Sequence, residues 1–468
     1  MIDLFFQLID RLDSFLWGPW TMMLIAFVSA YLTVKSRFFQ ISHFKYILSE
    51  TFFKIFNRTE SSSKTSISPF QATTASLAGT VGMGNMAGVA TALSIGGPGA
   101  IFWMWILALF GMITKAAEIA ISVHYREIDQ HGNIIGGPMH YIKKALGWKS
   151  LAILFSVGIT INCVFTSSLL QSHTVGRALD ASYNISPYIT TSVMAIITMF
   201  VAIGGIKRIG RFCETLVPFM TCLYLFCGLV IFFNNISSLP DVLTNIIAYA
   251  FSPAPAIGGF AGASVVAAIQ MGMARGMLSN EAGLGTAPMI HANAETKHPF
   301  QQALWGAAEV FFDTTVVCTI TAVIILSTGV LEYGNSGIEL LLDAFSSFYS
   351  PSVANAIISI AITTFCLSTQ IGFFIYFKTA VTDLVGERIF DVVKWLYFIP
   401  GIIFAGITNV DQLWKLANIS VALSAIPNLI ALLFLSVVFI KLMRDYFSEQ
   451  RKFDTELIDR TRNYIKIS

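Results

Sequence analysis

Two glycine-rich segments interrupt the apolar pattern of this chain at positions where their chemistry is informative. The first covers residues 79–88, GTVGMGNMAG, and the second covers residues 272–283, GMARGMLSNEAG. Glycine this dense favours a broken helix, which a bilayer tolerates only where the freed backbone groups face protein or a polar cavity. Helix N-termini at such breaks attract anions, and unwound carbonyls attract cations. We therefore expect a site for a zwitterion and a cation in a transporter built from two related halves.

The composition is that of an integral membrane protein. Of the 468 residues, 55% are hydrophobic and 12% are charged, against about 25% charged in soluble domains. The net charge of +2 gives no reason to expect nucleic-acid binding. The six cysteines lie in apolar stretches without metal-type spacing, so we expect them to be reduced and buried. The N-terminus lacks the features of a cleaved signal peptide.

Hydropathy predicts eleven membrane-spanning helices, each needing about 20 residues to cross. The expected spans are residues 17–34, 71–94, 99–123, 151–175, 187–205, 213–233, 262–288, 303–328, 353–377, 393–408 and 415–440. The glycine-rich segments fall in the second and the seventh of these spans. The span at 393–408 is short.

The order of the spans predicts an all-α integral membrane fold with an inverted repeat. An odd number fits one leading helix followed by two five-helix units of opposite topology, each beginning with a broken helix. We divide the chain into a lead-in with the first helix (1–35), a connection (36–70), the first repeat (71–233), a second connection (234–261), the second repeat (262–440) and a tail (441–468). The symmetry rests on segment order and on the two interruptions, since no residue-level repeat is visible.

The basic residues predict the orientation in the membrane. Alternate loops together with the tail carry 24 of the 29 Lys and Arg, and the positive-inside rule places them in the cytoplasm. The connection 36–70, with its polar stretch 61–68, and the C-terminus are then cytoplasmic. The connection 234–261 and the N-terminus are extracellular. We expect a multi-pass protein of the plasma (inner) membrane without a separate soluble domain.

Several blocks of sequence resemble one transporter family. Residues 96–111, GGPGAIFWMWILALFG, resemble the signature of the alanine or glycine:cation symporter family, also called sodium:alanine symporters. Further similarity lies in residues 80–92, 136–139, 204–210, 274–288 and 425–432. The resemblance implies a LeuT-like fold of the amino acid, polyamine and organocation superfamily. It also implies uptake of small neutral amino acids, driven by Na⁺ or H⁺, by alternating access.

The resemblance also implies a set of site residues. The substrate is expected to contact both breaks, a glutamine of the fourth span and a phenylalanine of the ninth: Thr80, Gly82, Met83, Gly84, Asn85, Gln171, Gly276, Met277, Ser279, Asn280 and Phe373. Backbone amides of the first break are expected to face the substrate carboxylate. A sodium ion is expected among carbonyls of the first break and hydroxyls of the ninth span: Ala78, Thr80, Val81, Asn85, Ser368 and Thr369. Oxygen ligands without a full carboxylate suit a weakly bound monovalent cation. No further cofactor is expected.

The chain departs from the family pattern at positions that bear on substrate and ion. Gln370 stands near the place of an expected pocket tryptophan, and residues 376–378 replace a Tyr-Gly-Glu-like element. His173 and Asn418 stand where the family more often has asparagine and aspartate. We expect Met83, Met277, Leu278 and Phe373 to limit substrate size.

Ionisable residues within spans are expensive and commonly functional, although pairing often explains them. Lys115 and Glu118 are three residues apart on one helix, so we expect them to pair. Arg275 and Glu281 flank the second break, and we expect a latch between them in preference to direct substrate contact. Asp313 is expected to be a hydrogen-bonded structural acid, with Glu309 one turn before it. His173 is interpreted as the only histidine deep in a span, where it is either a satisfied polar group or a proton carrier.

Other interpretations of the same residues stay open. The glycines of the first break could serve close helix packing, and Asn85 and Gln171 could be interhelical hydrogen-bond links. Ser368 and Thr369 could bond back to their own helix, and Phe373 could be core packing.

Several functions compete at this point. Walker A, HExxH and GxSxG motifs are absent from the sequence, so we do not expect an enzyme. Sodium-driven import of alanine or glycine is the leading hypothesis, with proton coupling or amino acid exchange as the alternative. A channel or a substrate-sensing membrane protein is the alternative from a different class. The expected partners are an amino acid, a monovalent cation and membrane lipid, with the chain working as a monomer.

Overall fold

The computed structural model describes residues 2–54, 66–128, 134–406 and 410–465. The described chain is almost entirely helical, with one short antiparallel hairpin formed by β1 (Glu127–Ile128) and β2 (Ile134–Ile135). Much of the expected polar stretch 61–68 lies outside the described residues. The all-helical class that the sequence predicts is therefore confirmed.

The helices of the first half run from the N-terminus to the connection between the repeats. They are α1 (Ile2–Leu16), α2 (Pro19–Lys35), α3 (Phe39–Ser42), α4 (Phe44–Glu50), α5 (Pro69–Thr80), α6 (Val89–Gly96), α7 (Gly99–Tyr125), α8 (Pro138–Tyr141), α9 (Lys149–Asn162), α10 (Ser172–Tyr183), α11 (Pro187–Ala202) and α12 (Gly205–Asn234). Three π-helical stretches, Gly84–Gly88, Ile142–Leu146 and Cys163–Gln171, continue these helices. The last of them joins α9 and α10 into one rod.

The helices of the second half run from the connection between the repeats to the C-terminal tail. They are α13 (Leu239–Phe251), α14 (Val265–Asn280), α15 (Ala287–His291), α16 (Pro299–Val310), α17 (Thr319–Ser327), α18 (Gly337–Ser346), α19 (Pro351–Val385), α20 (Glu387–Val393), α21 (Ile399–Ile403) and α22 (Val410–Ile465). A π-helical stretch, Phe311–Cys318, joins α16 and α17. Single 3₁₀ turns lie at Phe52–Lys54, Ile236–Ser238, Val330–Tyr333 and Lys394–Tyr397.

Both glycine-rich segments break their helices. A capping box between Ser68 and Gln71 starts α5, with proline at the first helical position. The helix ends at Thr80, the next residue Val81 is extended with a ψ of 93°, and helical geometry resumes at Met83. In the second segment α14 ends at Asn280, and the next residue, Glu281, adopts a left-handed conformation with φ 55°. Gly283, with φ 91°, carries the chain through the non-helical stretch before α15, because glycine adopts positive φ without strain.

The packing of the two halves follows the two-fold pattern expected of an inverted repeat. The third helix of the first repeat, α9, packs along the fifth of the second, α22. Its counterpart α19 packs along α12, the fifth helix of the first repeat. The second helix of each repeat, α7 and α16, pack against each other.

Membrane-spanning length is clear for part of the predicted set. Among the described residues, seven helices are long and apolar enough to cross: Gln7–Lys35, Gly99–Tyr125, Lys149–Tyr183, Gly205–Asn234, Pro299–Ser327, Pro351–Val385 and Gln412–Ser448. The spans predicted at 71–94 and 262–288 are the broken helices, whose separate segments are each too short to cross a membrane. The span predicted at 393–408 is divided among short helices from 387 to 403. The total of eleven stays a prediction.

Two features of the fold differ from the sequence expectation. Helices α13 and α18 occupy connections for which no helix is predicted, because amphipathic helices too short to span give little hydropathy signal. The six cysteines are free, as expected, but Cys222 is exposed whereas the other five are buried.

Candidate substrate and cation site

The two helix breaks meet in the centre of the protein. A Cβ added at Gly84 would lie 3.3 Å from the Cα of Ser279, so the first break passes directly against the end of α14. The Asn85 amide donates a hydrogen bond of 3.0 Å to the Ser279 hydroxyl. Glycine at position 84 favours this close approach of backbone to backbone, since a Cβ there would be in tight contact with Ser279. Residues from both glycine-rich segments therefore share one site.

A buried carboxylate organises one side of this site. Asp313, in the π-helical stretch of the eighth span, accepts hydrogen bonds from Asn85 Nδ2 at 2.7 Å and from Ser279 Oγ at 2.7 Å. Thr314 adds a third at 2.9 Å. The other end of the Asn85 amide, Oδ1, accepts from the Gly82 amide at 3.0 Å. The sequence predicts a hydrogen-bonded structural acid at Asp313, and its bonds agree, but the position joins it to the site residues of both breaks.

A second group of polar atoms lies on the other side of the first break. The Ser368 hydroxyl lies 3.4 Å from the Ala78 carbonyl oxygen. It also donates to the Phe365 carbonyl at 2.8 Å, as Thr369 does at 3.0 Å. Both hydroxyls thus bond back to their own helix, while Ser368 also reaches the first break. Val81 is the first residue beyond the end of α5.

The side chain of Gln171 reaches the same place from the π-helical end of α9. A Cβ added at Gly82 would lie 2.5 Å from Thr369 Oγ1 and 3.5 Å from Gln171 Nε2. Gln171 Oε1 is buried and has no hydrogen-bond partner among the described residues. A buried amide oxygen without a partner costs about 1–3 kcal/mol, so this acceptor is suited to an N–H donor such as a substrate ammonium.

The remaining expected substrate residues divide into two sets. Thr80 bonds back to its own helix at 3.4 and 3.5 Å, and Met83 Sδ lies 3.4 Å from the Thr174 hydroxyl. Phe373 packs on Tyr376 and lies beside Gly79. These side chains surround the first break.

Three expected residues of the second break point to other partners. Gly276 packs against Leu107 of α7, and Met277 lies against Gly283. Asn280 caps the break by bonding Thr314 at 3.1 Å and the Ala282 amide at 2.9 Å. The assignment of individual residues to substrate and sodium stays a prediction.

The central site is closed to both sides of the protein. Asn85 and Ser279 have no exposed surface, Asp313 and Thr369 are 1% exposed, and Gln171 is 3% exposed. A molecule reaches these residues only if the elements that cover them move.

The charge pairing predicted for Lys115 is wrong. Lys115 Nζ pairs with Glu309 Oε2 at 3.1 Å, with no exposed surface on either side chain, and donates to the Asn280 carbonyl at 3.1 Å. Glu118 instead accepts from the Gly285 amide at 3.1 Å and from the Asn428 side chain. Lys115 reaches Glu309 because α7 and α16 pack together along their length, which spacing on one helix does not show.

Glu309 connects the two broken helices through α5 of the first and α15 of the second. It accepts hydrogen bonds from Ser76 of α5 at 2.9 Å and from His291 of α15 at 2.8 Å. Gln302 Nε2 lies 2.8 Å from His291 Nδ1, so both ring nitrogens of His291 have a buried partner. His291 is fully buried although it lies outside the predicted spans, and the expectation for His173 stays a prediction. Sequence reasoning missed His291 because α15 has five residues and reads as loop.

The predicted latch between Arg275 and Glu281 is also wrong. Glu281 accepts from Thr286 at 2.6 Å, across the non-helical stretch that follows it. The Arg275 guanidinium lies over the Trp414 ring at 4.0 Å from its centroid. Glu281 lies beyond the end of α14 in a left-handed conformation, so helical spacing from Arg275 does not extend to it.

The departures from the family pattern lie mainly outside the central site. Gln370 donates to Ser172 at 2.7 Å and accepts from Thr198 at 3.1 Å, so it links α19 to α10 and α11. The Asn418 carbonyl accepts from Trp17 at 2.8 Å. His173 is buried in α10, next to Ser172.

The sequence matches one protein family over nearly its whole length. The model of the sodium:alanine symporter family matches residues 2–460. The chain belongs to the sodium:alanine symporter family. It is thus a multi-pass membrane transporter, as the resemblance of residues 96–111 implies.

Two relatives agree with this membership, and one solved structure shows the same fold. The sodium/alanine symporter AgcS of Methanococcus maripaludis is 36% identical, over 96% of this chain and 98% of its own. The probable sodium/glutamine symporter GlnT of Bacillus subtilis is 34% identical, over 94% and 90% respectively. The crystal structure of MhsT in complex with L-phenylalanine has a TM-score of 0.55 at 14% identity, covering 82% of this chain and 98% of that one. The sodium:alanine symporter fold of this chain is therefore that of the LeuT-like transporters.

Proposed function

We propose that this protein is a secondary symporter that imports small neutral amino acids, alanine and glycine, by coupling them to sodium entering the cell. Family membership supports transport, and similarity to the sodium/alanine symporter AgcS supports sodium and alanine. GlnT is named for glutamine, so the choice of a small substrate rests on the site itself.

The observation that carries the proposal is the convergence at Gly82. This glycine lies against Thr369 and Gln171, at a point where even one added carbon would lie 2.5 Å from the threonine hydroxyl. The unpartnered Gln171 oxygen is an acceptor for the substrate ammonium. The substrate carboxylate is then directed to the helical segment that starts at Gly84, since helix N-termini favour anions. Such closely packed surroundings favour a small side chain.

Two sets of oxygen atoms support cation binding beside the substrate. The first is the Ala78 carbonyl with the hydroxyls of Ser368 and Thr369. The second is the cluster of Asp313, Asn85 and Ser279, which contains a full carboxylate. Hard oxygen ligands suit an alkali cation. Because both sets contain residues from a break and from a continuous helix, a bound cation would hold the moving and the static parts together.

Proton coupling is the second candidate, and one observation favours it. His291 and Glu309 form a buried hydrogen-bonded pair that reaches both broken helices. An exchange mechanism, in which one amino acid leaves as another enters, would use the same central site. A channel is less compatible with a site that is closed on both sides, and a sensing role has no support beyond the shared scaffold.

The experiment that tests the proposal is uptake of labelled alanine, glycine and glutamine into proteoliposomes. A sodium gradient is compared with a proton gradient at equal membrane potential. Thr369→Val removes a hydroxyl of the first oxygen set, and Thr364→Val on the same helix is the matched control, because Thr364 also bonds back to its helix but away from Gly82. We expect sodium-driven alanine uptake that Thr369→Val abolishes and Thr364→Val leaves intact. Uptake driven by protons alone would contradict the proposal.

A further inference from the structure

Arg275 is a buried cation whose hydrogen-bonding edge is empty. The residue is 6% exposed, and its Nε and Nη1 atoms have no hydrogen-bond partner among the described residues. Burying guanidinium N–H groups without acceptors is costly, so native proteins rarely do so. The unpartnered N–H groups of Arg275 are therefore suited to an acceptor on a bound molecule.

The surroundings of Arg275 leave that edge available. Its planar face lies over Trp414, 4.0 Å from the ring centroid. Stacking uses the face of the guanidinium and leaves the in-plane N–H groups free for a bidentate acceptor. This geometry is suited to a carboxylate, which guanidinium binds through two parallel hydrogen bonds.

A negatively charged side chain, Asp13 of α1, belongs to the same region of the protein. Asp13 lies on the same helical face as Asp10 and Trp17, which contact Lys415 and Asn418 of α22, the helix that carries Trp414. No ion pair within 4.0 Å joins Asp13 to Arg275 among the described residues, and Asp13 Oδ1 is buried without a hydrogen-bond partner. Helix α1 is held against α22 by an ion pair of 2.7 Å between Asp10 and Lys415. A separated guanidinium and carboxylate, each with unused atoms, are complementary to the two charges of an α-amino acid.

The position of Arg275 relates this place to the central site. Arg275 is four residues before Ser279 on α14, which is about one helical turn, or about 6 Å along the axis, on nearly the same helix face. Ser279 belongs to the Asp313 cluster. The positive-inside expectation puts the beginning of α14 on the outer side, so Arg275 precedes the central site for a substrate that comes from outside.

We propose that Arg275 and Asp13 form an outer binding site for the substrate zwitterion, with the carboxylate on Arg275 and the ammonium on Asp13. The inference rests on the proposed amino acid transport and adds a second substrate-binding site, which the substrate occupies before it reaches the central site. Trp414 positions the guanidinium by stacking. The substrate leaves this site for the central one when the elements around α14 rearrange.

The test compares variants of the two charges in sodium-driven alanine uptake. We expect Arg275→Gln to raise KM about tenfold or more, since a charge-assisted bidentate contact is lost. The maximal rate stays within about twofold, because the central site is intact. Arg275→Lys is expected to have an intermediate KM, and Asp13→Asn a smaller rise. Arg177→Gln, an exposed basic residue of α10, is the matched control and leaves KM unchanged.

Several results would overturn the outer site. An unchanged KM in Arg275→Gln, or a lower maximal rate at unchanged KM, would assign the arginine to gating or packing. A lower melting temperature in both Arg275→Gln and Arg275→Lys would show a structural role, whereas an empty site predicts no loss. If replacing chloride by gluconate abolishes wild-type uptake but not that of Arg275→Gln, the acceptor is an inorganic anion and the zwitterion site is wrong.

The inference can fail separately from the proposed function. If the wild-type protein moves no amino acid with a sodium gradient, the proposed function fails first. The melting temperature of the detergent-solubilised protein with and without alanine then decides Arg275. Equal stabilisation of wild type and Arg275→Gln by alanine at every concentration would contradict the site.

Discussion

Replacing Lys115 by methionine should destabilise the protein more than any single surface charge does. The change removes the 3.1 Å ion pair with Glu309 and the 3.1 Å hydrogen bond to the Asn280 carbonyl. Removing one partner of a buried pair typically costs about 3–5 kcal/mol, because the other charge stays buried and uncompensated. Glu309 keeps its bonds to Ser76 and His291, so we expect the lower end, about 3 kcal/mol.

This free energy corresponds to a measurable change in melting temperature. The entropy of unfolding is about 2.1 cal/mol/K per residue, which over 468 residues gives roughly 1 kcal/mol/K. A loss of about 3 kcal/mol then lowers the melting temperature by about 3 °C. The assay is thermal unfolding of the detergent-solubilised protein followed by tryptophan fluorescence.

A surface pair supplies the matched control for Lys115. Lys54 pairs with Glu50 at 2.6 Å, and half of the Lys54 side chain is exposed, so Lys54→Met should cost less than about 1 kcal/mol. The double variant Lys115→Met with Glu309→Gln removes both charges and should recover part of the loss. Equal melting temperatures for Lys115→Met and Lys54→Met would refute a buried pair at this position.

Three further changes test the central site. Gly82→Ala places a carbon 2.5 Å from Thr369 Oγ1, so we expect loss of alanine uptake with normal membrane insertion, and a wild-type KM would contradict this packing. Asp313→Asn should raise the sodium concentration for half-maximal uptake about tenfold, equivalent to about 1.4 kcal/mol, whereas the exposed Asp241→Asn should not; an unchanged sodium dependence would separate Asp313 from the cation. Phe373→Ala should broaden uptake toward larger side chains, and an unchanged substrate profile would remove Phe373 from the pocket.

The local features of the site were accessible from the sequence. Dense glycine at 79–88 and 272–283 predicts both breaks, because each glycine in a helix interior is destabilising. The segment order then predicted that the breaks belong to related units, and Gly84 does lie against Ser279. The family resemblance predicts that Ala78 and Ser368 lie close together, and the Ser368 hydroxyl is 3.4 Å from the Ala78 carbonyl oxygen.

The partners of buried charges were not accessible in the same way. Spacing along one helix favoured Lys115 with Glu118, but the nearest acid is Glu309 on a helix almost two hundred residues away in sequence. Likewise, Glu281 lies beyond the end of α14 and accepts from Thr286, whereas Arg275, six residues before it, stacks on Trp414. Pairing of this kind depends on tertiary packing, which a single sequence without a residue-level repeat does not specify.

The most direct test of the account follows radiolabelled sodium and labelled alanine together in proteoliposomes of the wild-type protein and of Asp313→Asn. The account predicts that alanine starts a sodium influx that rises in fixed proportion to alanine influx. In Asp313→Asn both fluxes should fall together at low sodium and recover at high sodium. Alanine uptake without any accompanying sodium flux, or a sodium flux that does not change when alanine is added, would contradict symport by this site.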